Sequence, residues 1–392
     1  MPVKIGALGK NWCGIGAETI PYVKNNLENK GDFENMKLGI VGLPNVGKTT
    51  LFNALTGSKA ETSAYANAGA KPNIGNAKVP DERLDWLAEY YHPKKYSPAT
   101  IEFVDVAGVS RGGKGNEVFQ AIRQTDALVH VVRCFDNDDI FLEKADARRD
   151  AEAFDLEMIL ADMEIVERRL ERAKKNAKSG DKKYKRECEM CQALIEHLTD
   201  GKSARSFDFT EEDADILTDG GLMTVKPVIY AANLDEDGMA DYENNANFKA
   251  LSALAGEQGA AVLPVAAKFE EDIAEMDADE AKMFMEDLGL TETGLSRLIR
   301  TSYDLLGYIS FLTAGEDDVH AWTIVRGTKA PKAAGKIHTD IERGFIRAEI
   351  VAFDDLKASG SVAAAKEKGL FRLEGKDYVM QDGDVTNFRF NI

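Results

Sequence analysis

The chain has 392 residues, a formal net charge of −18 and four cysteines. Its 49 Lys and Arg against 67 Asp and Glu oppose general adhesion to nucleic acid or anionic lipid, though not a local basic patch. With 44% hydrophobic and 30% charged residues it has the composition of a folded protein, of a length to suit more than one domain, and no run of about 18 apolar residues marks a membrane span.

Residues 1–35 show no hydrophobic period and lack the basic-then-apolar pattern of a signal peptide. Met36 stands just before the first strong strand, and Lys30-Gly31-Asp32 is encodable by a purine-rich ribosome-binding stretch upstream of it. We expect Met36 to be the natural start and 1–35 to be a non-native leader or flexible extension; N-terminal sequencing of native protein tests this. Cys13, Cys134, Cys188 and Cys191 are too sparse for a disulfide scaffold and suit a reducing cytosol. Cys188 and Cys191 form one C-x-x-C without a second pair, in a helical pattern, and read as ordinary helix positions rather than a redox or metal site.

Lys37–Gly42 is a short buried strand, followed by a Gly-rich turn and a helix from about Lys48 to Leu55. Residues 58–80, rich in Ala, Gly, Asn and Pro, read as a long loop. Further strands are expected at Ile101–Asp105, Leu128–Val132, Val228–Ala232 and Ala261–Val265. Strands separated by helical stretches imply a mostly parallel α/β sheet with crossover helices. Between the third and fourth strands, residues 152–198 carry Leu156, Ile159, Leu160, Met163, Val166 and Leu170 at helical spacing, broken at Ser179-Gly180-Asp181. This predicts an inserted antiparallel helical hairpin, a short coiled coil over 151–221. From 164 to 187, ten basic residues (Arg168, Arg169, Arg172, Lys174, Lys175, Lys178, Lys182, Lys183, Lys185, Arg186) stand against five acidic ones. The tip is either a solvated helix face or a basic finger for phosphate backbone. From about residue 308, Ala321–Val325, Ile346–Ile350, Asp377–Met380 and Val385–Phe390 read as strands of a small mixed β domain, with a turn at Gln381–Asp384.

Gly42-Leu43-Pro44-Asn45-Val46-Gly47-Lys48-Thr49 matches G-x-x-x-x-G-K-[ST] between a strand and a helix. Such a loop turns backbone N–H groups toward phosphates, and the helix N-terminus adds positive potential. Lys48 is expected on the β- and γ-phosphates and Thr49 on Mg²⁺. Asp105-Val106-Ala107-Gly108 is a D-x-x-G at a strand end: Asp105 would hold Mg²⁺ and the Gly108 N–H would sense the γ-phosphate. Val109 stands where many GTPases place a glutamine that orients water, so unassisted hydrolysis is expected to be slow. Asn45 matches a position that in some such enzymes binds a monovalent cation in place of an arginine finger, which makes K⁺ a second candidate cofactor; the other reading is a loop-stabilising amide.

Guanine is read by N-K-x-D, whose aspartate accepts from N1–H and the 2-amino group. Here Asn233-Leu234-Asp235-Glu236 follows the fourth strand. Leu234 replaces the lysine, and Glu236 is one methylene longer than aspartate. Guanine selectivity is therefore expected to be weak, with Leu234 covering the base, Asn233 bonding adenine N6 or N7, and the backbone of Ala266-Ala267 approaching it. His130, on an apolar strand, reads as a satisfied core histidine. The candidate nucleotide set is Asn45, Val46, Gly47, Lys48, Thr49, Thr50, Asn233, Leu234, Glu236, Ala266 and Ala267; Thr49 and Asp105 are the metal set; Lys48, Asn45 and Gly108 are the catalytic set.

Gly42–Thr56, Asp105–Val109, His130–Phe135 and Asn233–Glu236, with Ala321-Trp322-Thr323, Ala334–Asp340, Gly344–Arg347, Glu374–Tyr378 and Asp382–Asp384, form a set that resembles the YchF / Obg-like ATPase family over residues 36–392. The resemblance implies an Obg-type P-loop NTPase G domain (36–150 and 222–306), the inserted hairpin (151–221) and a C-terminal TGS domain, a ubiquitin-like β-grasp module (307–392). It implies ATP preferred over GTP, slow hydrolysis to ADP and phosphate, and a cytoplasmic protein on the ribosome, large subunit or 70S, with links to translation and stress responses; no membrane and no specific DNA partner is expected. Three departures bear on turnover. The family's P-F-C-T-I is replaced by Ala66–Ala70, with Gly69 where a threonine would approach Mg²⁺; Leu142 stands at a position commonly histidine; and the second switch, 108–120, is short. An Obg-type GTPase, or a nucleotide-gated binding module with negligible hydrolysis, is the alternative.

Overall fold

The computed structural model describes residues 37–60, 72–108, 116–137, 143–213, 221–276, 280, 281, 283, 285 and 292–391. The leader reading for 1–35 and the expectations at Ala66–Ala70, Val109 and Leu142 lie outside these residues. Contacts divide the chain into two units, one holding Met36–Ala77 and Glu102–Leu298, the other Lys78–Ile101 and Ile299–Ile392.

In the first unit β1 (Lys37–Val41) leads into α1 (Lys48–Thr56). β2 (Asn73–Lys78) follows; the helix α2 (Glu82–Tyr91) and the strand β3 (Lys95–Ser97) belong to the second unit. The chain returns through β4 (Thr100–Asp105), α3 (Asn116–Arg123) and β5 (Ala127–Arg133). The hairpin α4 (Ala147–Ala177) and α5 (Lys182–Thr199) precedes β6 (Val228–Asn233), α6 (Glu236–Ala240), α7 (Ala246–Glu257), β7 (Ala261–Val265), α8 (Ala267–Glu275) and α9 (Gly294–Leu305). The sheet order is β2-β4-β1-β5-β6-β7, and the β4-β1, β1-β5, β5-β6 and β6-β7 pairs are parallel. Every residue of β5 and β6 is buried, as expected for central parallel strands covered on both faces.

The expected loop over 58–80 contains β2. Of its six residues only Ala77 is buried, so Asn73-Ile74-Gly75-Asn76-Ala77-Lys78 carries no alternating pattern, and pairing beside β4 makes it a strand.

The hairpin breaks where expected. Asp181 caps α5 by accepting from the Lys183 N–H, and Asp146 caps α4 by accepting from the Arg149 N–H. Ile159, Val166 and Leu170 pack with Cys191, Leu194 and Leu198 across the two helices. Leu156 and Leu160, expected on the same stripe, are each 49% exposed. The root of α4 turns Phe154 and Met158 into the sheet core instead, which leaves residues two positions on facing outward.

The second unit is a β-grasp module. β8 (Tyr308–Ala314) and β9 (Asp318–Val325) are antiparallel, α10 (Ala330–Ile337) and α11 (Thr339–Arg343) cross over, and β10 (Phe345–Ala352) pairs antiparallel with β12 (Asp384–Phe390). α12 (Phe353–Ser359), α13 (Val362–Glu367) and β11 (Arg372–Glu374) lie between the last two, and the order is β11-β10-β12-β8-β9-β3. Ala330, Ala333 and Ala334 let α10 approach Ile309, Phe311, Ile350 and Phe388 closely. Asp377–Met380, expected as a strand, contributes one isolated bridge, Val379 to Lys329. The Asp384 carboxylate takes the Tyr378 hydroxyl and the Gln381 N–H, both at 2.9 Å, and folds this stretch into a turn.

Residues 78–101, read from sequence as part of the G domain, make their contacts with the C-terminal unit. β3 adds parallel to β9, Arg83 Nη1 reaches Asp382 Oδ2 at 2.8 Å, Lys94 Nζ reaches Asp317 Oδ1 at 2.8 Å, and Trp86 meets Phe353 edge-on.

Candidate nucleotide site

The loop after β1 owes its shape to a few backbone conformations. Asn45 (φ 62°) and Gly47 (φ 96°) lie in the left-handed region. At Gly47 no other residue fits, because a Cβ would run into the Asn233 side-chain amide. Asn45 is exposed, Val46 is buried, and Thr50 is half-buried in the first turn of α1.

Lys48 is 7% exposed, and its Nζ donates to the Leu43 carbonyl at 2.6 Å. Burial pulls its ammonium down to about 8, opposed by the charge of Asp105. A polyphosphate placed here would replace lost hydration with opposite charge and favour the protonated form. The Thr49 hydroxyl donates to Asp105 Oδ2 at 3.0 Å. Burial raises the Asp105 carboxyl, while bonds from Thr49 and Asn73 and the charge of Lys48 oppose that rise. A hydroxyl and a carboxylate are hard oxygen donors and suit Mg²⁺, which draws its other ligands from water and phosphate. Gly108 lies against the loop: a Cβ there would stand 2.8 Å from Pro44 backbone atoms and 3.0 Å from Lys48 Nζ. The structure thus brings together the loop, Lys48, Thr49, Asp105 and Gly108.

The expected base-binding segment is also adjacent, with a different use of its side chains. Asn233 is 4% exposed; its Nδ2 donates to the Val46 carbonyl at 2.9 Å, and its Oδ1 accepts the Ala267 N–H at 3.0 Å. It ties the phosphate loop to the start of α8 instead of presenting both polar atoms to a base. Leu234 is 3% exposed and belongs to the sheet core. Asp235 caps α6 by accepting the Gly238 N–H at 2.8 Å, which leaves Glu236 exposed in its first turn. Ala266 and Ala267 are buried at the N-terminus of α8.

Sequence reasoning missed Asn73, whose Nδ2 donates to Asp105 Oδ2 at 3.3 Å. No motif marks it; the pairing of β2 beside β4 brings it there. His130 is buried between Phe154 and Tyr230, as a core residue should be, yet it is not satisfied: Asp155 Oδ1 lies 3.8 Å from its Nδ1, and Nδ1 finds no hydrogen-bond partner. Cys134, Cys188 and Cys191 are free, and among the described residues no three His, Cys, Asp or Glu side chains are grouped to hold a metal ion. No described helix is long and apolar enough to cross a membrane.

Family models place these features among known proteins. Residues 37–176 match "50S ribosome-binding GTPase", and residues 308–391 match the C-terminal YchF-GTPase model, described as a protein of unknown function. A Bacillus subtilis protein named "Ribosome-binding ATPase YchF" is 49% identical, covering 90% of this chain and 99% of its own length. The rice protein "Obg-like ATPase 1" is 40% identical, covering 91% of this chain and 93% of its own. The solved structure of the Schizosaccharomyces pombe YchF GTPase superposes with a TM-score of 0.79 at 34% identity, covering 92% of this chain and 98% of that one. The phosphate loop, the inserted hairpin, the β-grasp module and near-complete coverage by these relatives make the chain a member of the YchF / Obg-like ATPase family, built on the P-loop GTPase fold.

Proposed function

We propose that this protein binds ATP in preference to GTP, with Mg²⁺, hydrolyses it slowly to ADP and phosphate, and uses that cycle as a switch on the ribosome in the cytoplasm, where it modulates translation or the stress response. One observation carries the reading: a preformed cradle of Lys48, Thr49, Asp105 and Gly108 stands beside an Asn233–Glu236 segment that lacks the lysine and aspartate of a guanine reader. The names of the relatives, ribosome-binding ATPase and Obg-like ATPase, support it.

Lys48 and the loop N–H groups bind the β- and γ-phosphates, and the Gly108 N–H reports the γ-phosphate. Thr49 and Asp105 hold Mg²⁺, which on binding supplies charge neutralisation at the transferring phosphoryl group. Exposed Asn45 carries the amide oxygen that would hold a K⁺ in place of an arginine finger. Val109 has no group to orient water, in keeping with low intrinsic turnover.

The ribosome contact is the basic hairpin tip, with the β-grasp module contributing. Arg168, Arg172 and Lys175 have exposed side chains on α4, and Lys182, Lys183 and Lys185 on α5, in a chain that is otherwise strongly acidic. Binding through them should weaken steeply with salt. Labelled-ATP displacement by GTP, phosphate release by wild type and Lys48→Ala with and without ribosomes, and co-sedimentation after charge reversal at Arg168, Arg172 and Lys175 test the three parts. Stronger displacement by GTP than by ATP refutes the base preference. Equal release by both proteins under both conditions refutes the enzyme. Intact salt-sensitive co-sedimentation after reversal refutes the hairpin as the contact.

A further inference from the structure

Asp162 of α4 has no exposed surface. Its carboxylate accepts the Met223 N–H at 2.9 and 3.0 Å, the Thr224 N–H at 2.7 Å and the Thr224 hydroxyl at 2.7 Å. Thr224 holds the return of the hairpin as well. Its carbonyl accepts from Arg205 N at 3.0 Å and Nε at 3.2 Å, and its Oγ1 accepts from Ala204 N at 3.1 Å. One residue thus joins the outgoing helix to the chain that comes back from α5.

Two positions further on, Lys226 is 2% exposed. Its Nζ donates to the carbonyls of Ile122 at 2.5 Å, Arg123 at 2.9 Å and Thr125. These close the C-terminal end of α3, where a helix leaves carbonyls without partners and the dipole favours a cation. Arg123 Nε answers by donating to the Gly221 carbonyl at 3.2 Å. Among the described residues α3 is the next helix after Gly108 in the chain, and a Cβ at Gly108 would meet Pro44 and Lys48 of the phosphate loop.

A buried carboxylate and a buried ammonium are expensive ways to hold two elements together, since apolar side chains of similar size do so at lower cost. What the polar pair adds is a single register: the Met223 and Thr224 N–H groups meet one carboxylate, the Ile122, Arg123 and Thr125 carbonyls meet one ammonium, and sliding α3 against α4 leaves these buried charges without their hydrogen bonds. We propose that Asp162 and Lys226 are positioning residues that lock the hairpin to the helix after the D-x-x-G loop, so that the nucleotide state and the position of the hairpin bias one another. The identity of what moves the hairpin rests on the ribosome reading above; the lock itself does not. Coupling of this kind is reciprocal.

The test uses the full chain, wild type and the variants Asp162→Asn and Lys226→Met, with hydrogen exchange read by mass spectrometry before and after adding Mg²⁺ and a non-hydrolysable ATP analogue. In wild type, slowed exchange spreads from 42–49 through 116–123 to 221–226 and to α4 around 162. In each variant the change at 42–49 persists and the change at 221–226 and around 162 is lost. Asp162→Asn keeps one acceptor for Thr224 and replaces the other, at the Met223 N–H, by a donor; it is the milder change, should Lys226→Met fail to fold. Identical spread in Asp162→Asn and wild type, or no change in wild type beyond α3, overturns the proposal. With ribosomes, the analogue shifts wild-type affinity by about fivefold or more, the low end of ordinary allosteric coupling, and by less than about twofold in the variants. Wild type that does not bind ribosomes sinks the docking reading while the exchange data still decide the lock; wild type that binds them without spread of protection sinks the lock alone.

Discussion

Replacing Asn233 with alanine removes two buried hydrogen bonds at once. The Val46 carbonyl loses a donor at 2.9 Å and the Ala267 N–H loses an acceptor at 3.0 Å, at a residue 4% exposed. Each buried group left unsatisfied costs about 1–3 kcal/mol. The pair sums to about 2–6 kcal/mol, and water entering the vacated space from the neighbouring nucleotide pocket recovers part of it, so about 2–4 kcal/mol is expected. Urea unfolding of nucleotide-free protein measures this as a lower midpoint at unchanged slope. The same loss loosens Val46 and Gly47, so nucleotide must supply the order that the asparagine supplied. If that costs about 1.4 kcal/mol, Kd for ATP rises about tenfold in a calorimetric titration. Asn233→Asp sharpens the argument: it keeps the acceptor for Ala267 but turns an oxygen toward the Val46 carbonyl, and should be at least as unstable as the alanine variant. The reasoning is refuted if Asn233→Ala costs less than about 0.5 kcal/mol with Kd unchanged, a cost ordinary for a surface site, or if Asn233→Asp proves the more stable variant.

Gly108→Ala places a methyl 2.8 Å from Pro44 backbone atoms, which cannot yield without moving the phosphate loop; ATP affinity measured by titration should fall at least about tenfold, with stability in the absence of nucleotide lowered less. Burial holds His130 neutral, with its pKa pushed down to about 4 from 6.5. The unfolded chain takes up this proton below pH 6.5 while the native one does not, so native stability falls as pH drops from about 6.5 to about 4, by up to ~3 kcal/mol from this group. His130→Phe should flatten that acid limb in urea midpoints measured between pH 4 and 7, and an unchanged limb counts against it. Arg83 bridges Asp81 and Asp382 with side-chain bonds of 2.8 to 3.3 Å; Arg83→Ala should cost about 1–2 kcal/mol and speed amide exchange in β3, whereas unaltered exchange there would show that β3 holds its place without the bridge.

The readable parts of this protein are those in which chemistry is local. The phosphate loop needs glycine, lysine and threonine at fixed offsets between a strand and a helix, and Gly42–Thr49 shows them in order. Asp105 ends a strand carrying Ile101, Phe103 and Val104, and the hairpin declares itself through helical spacing and the break at Ser179–Asp181. β5 and β6, buried on both faces, are mostly apolar in the sequence, interrupted by His130 and ended by Arg133 and Asn233. Short, polar or edge elements were not legible. β2 has one buried residue and β3 three residues in all, so neither has room for a period, and each becomes a strand only because a neighbour offers its backbone. Asp377–Met380 has the composition of a strand, but the Asp384 carboxylate takes its polar groups into a turn.

At the site the same division holds. Residue types alone pointed to a polyphosphate cradle and showed that the lysine and aspartate of N-K-x-D are missing, because both depend on motifs whose residues are near neighbours in the chain. Tertiary structure decided what Asn233 does with its amide, that Asn73 reaches Asp105, that Leu156 and Leu160 face outward, and that 78–101 joins the β-grasp unit. The physical reason is that a side chain's hydrogen-bond partner is set by whatever donor or acceptor the fold delivers within about 3 Å. For Asn233 those partners come from Val46 and Ala267, which the sequence keeps far apart and the parallel sheet brings to one edge.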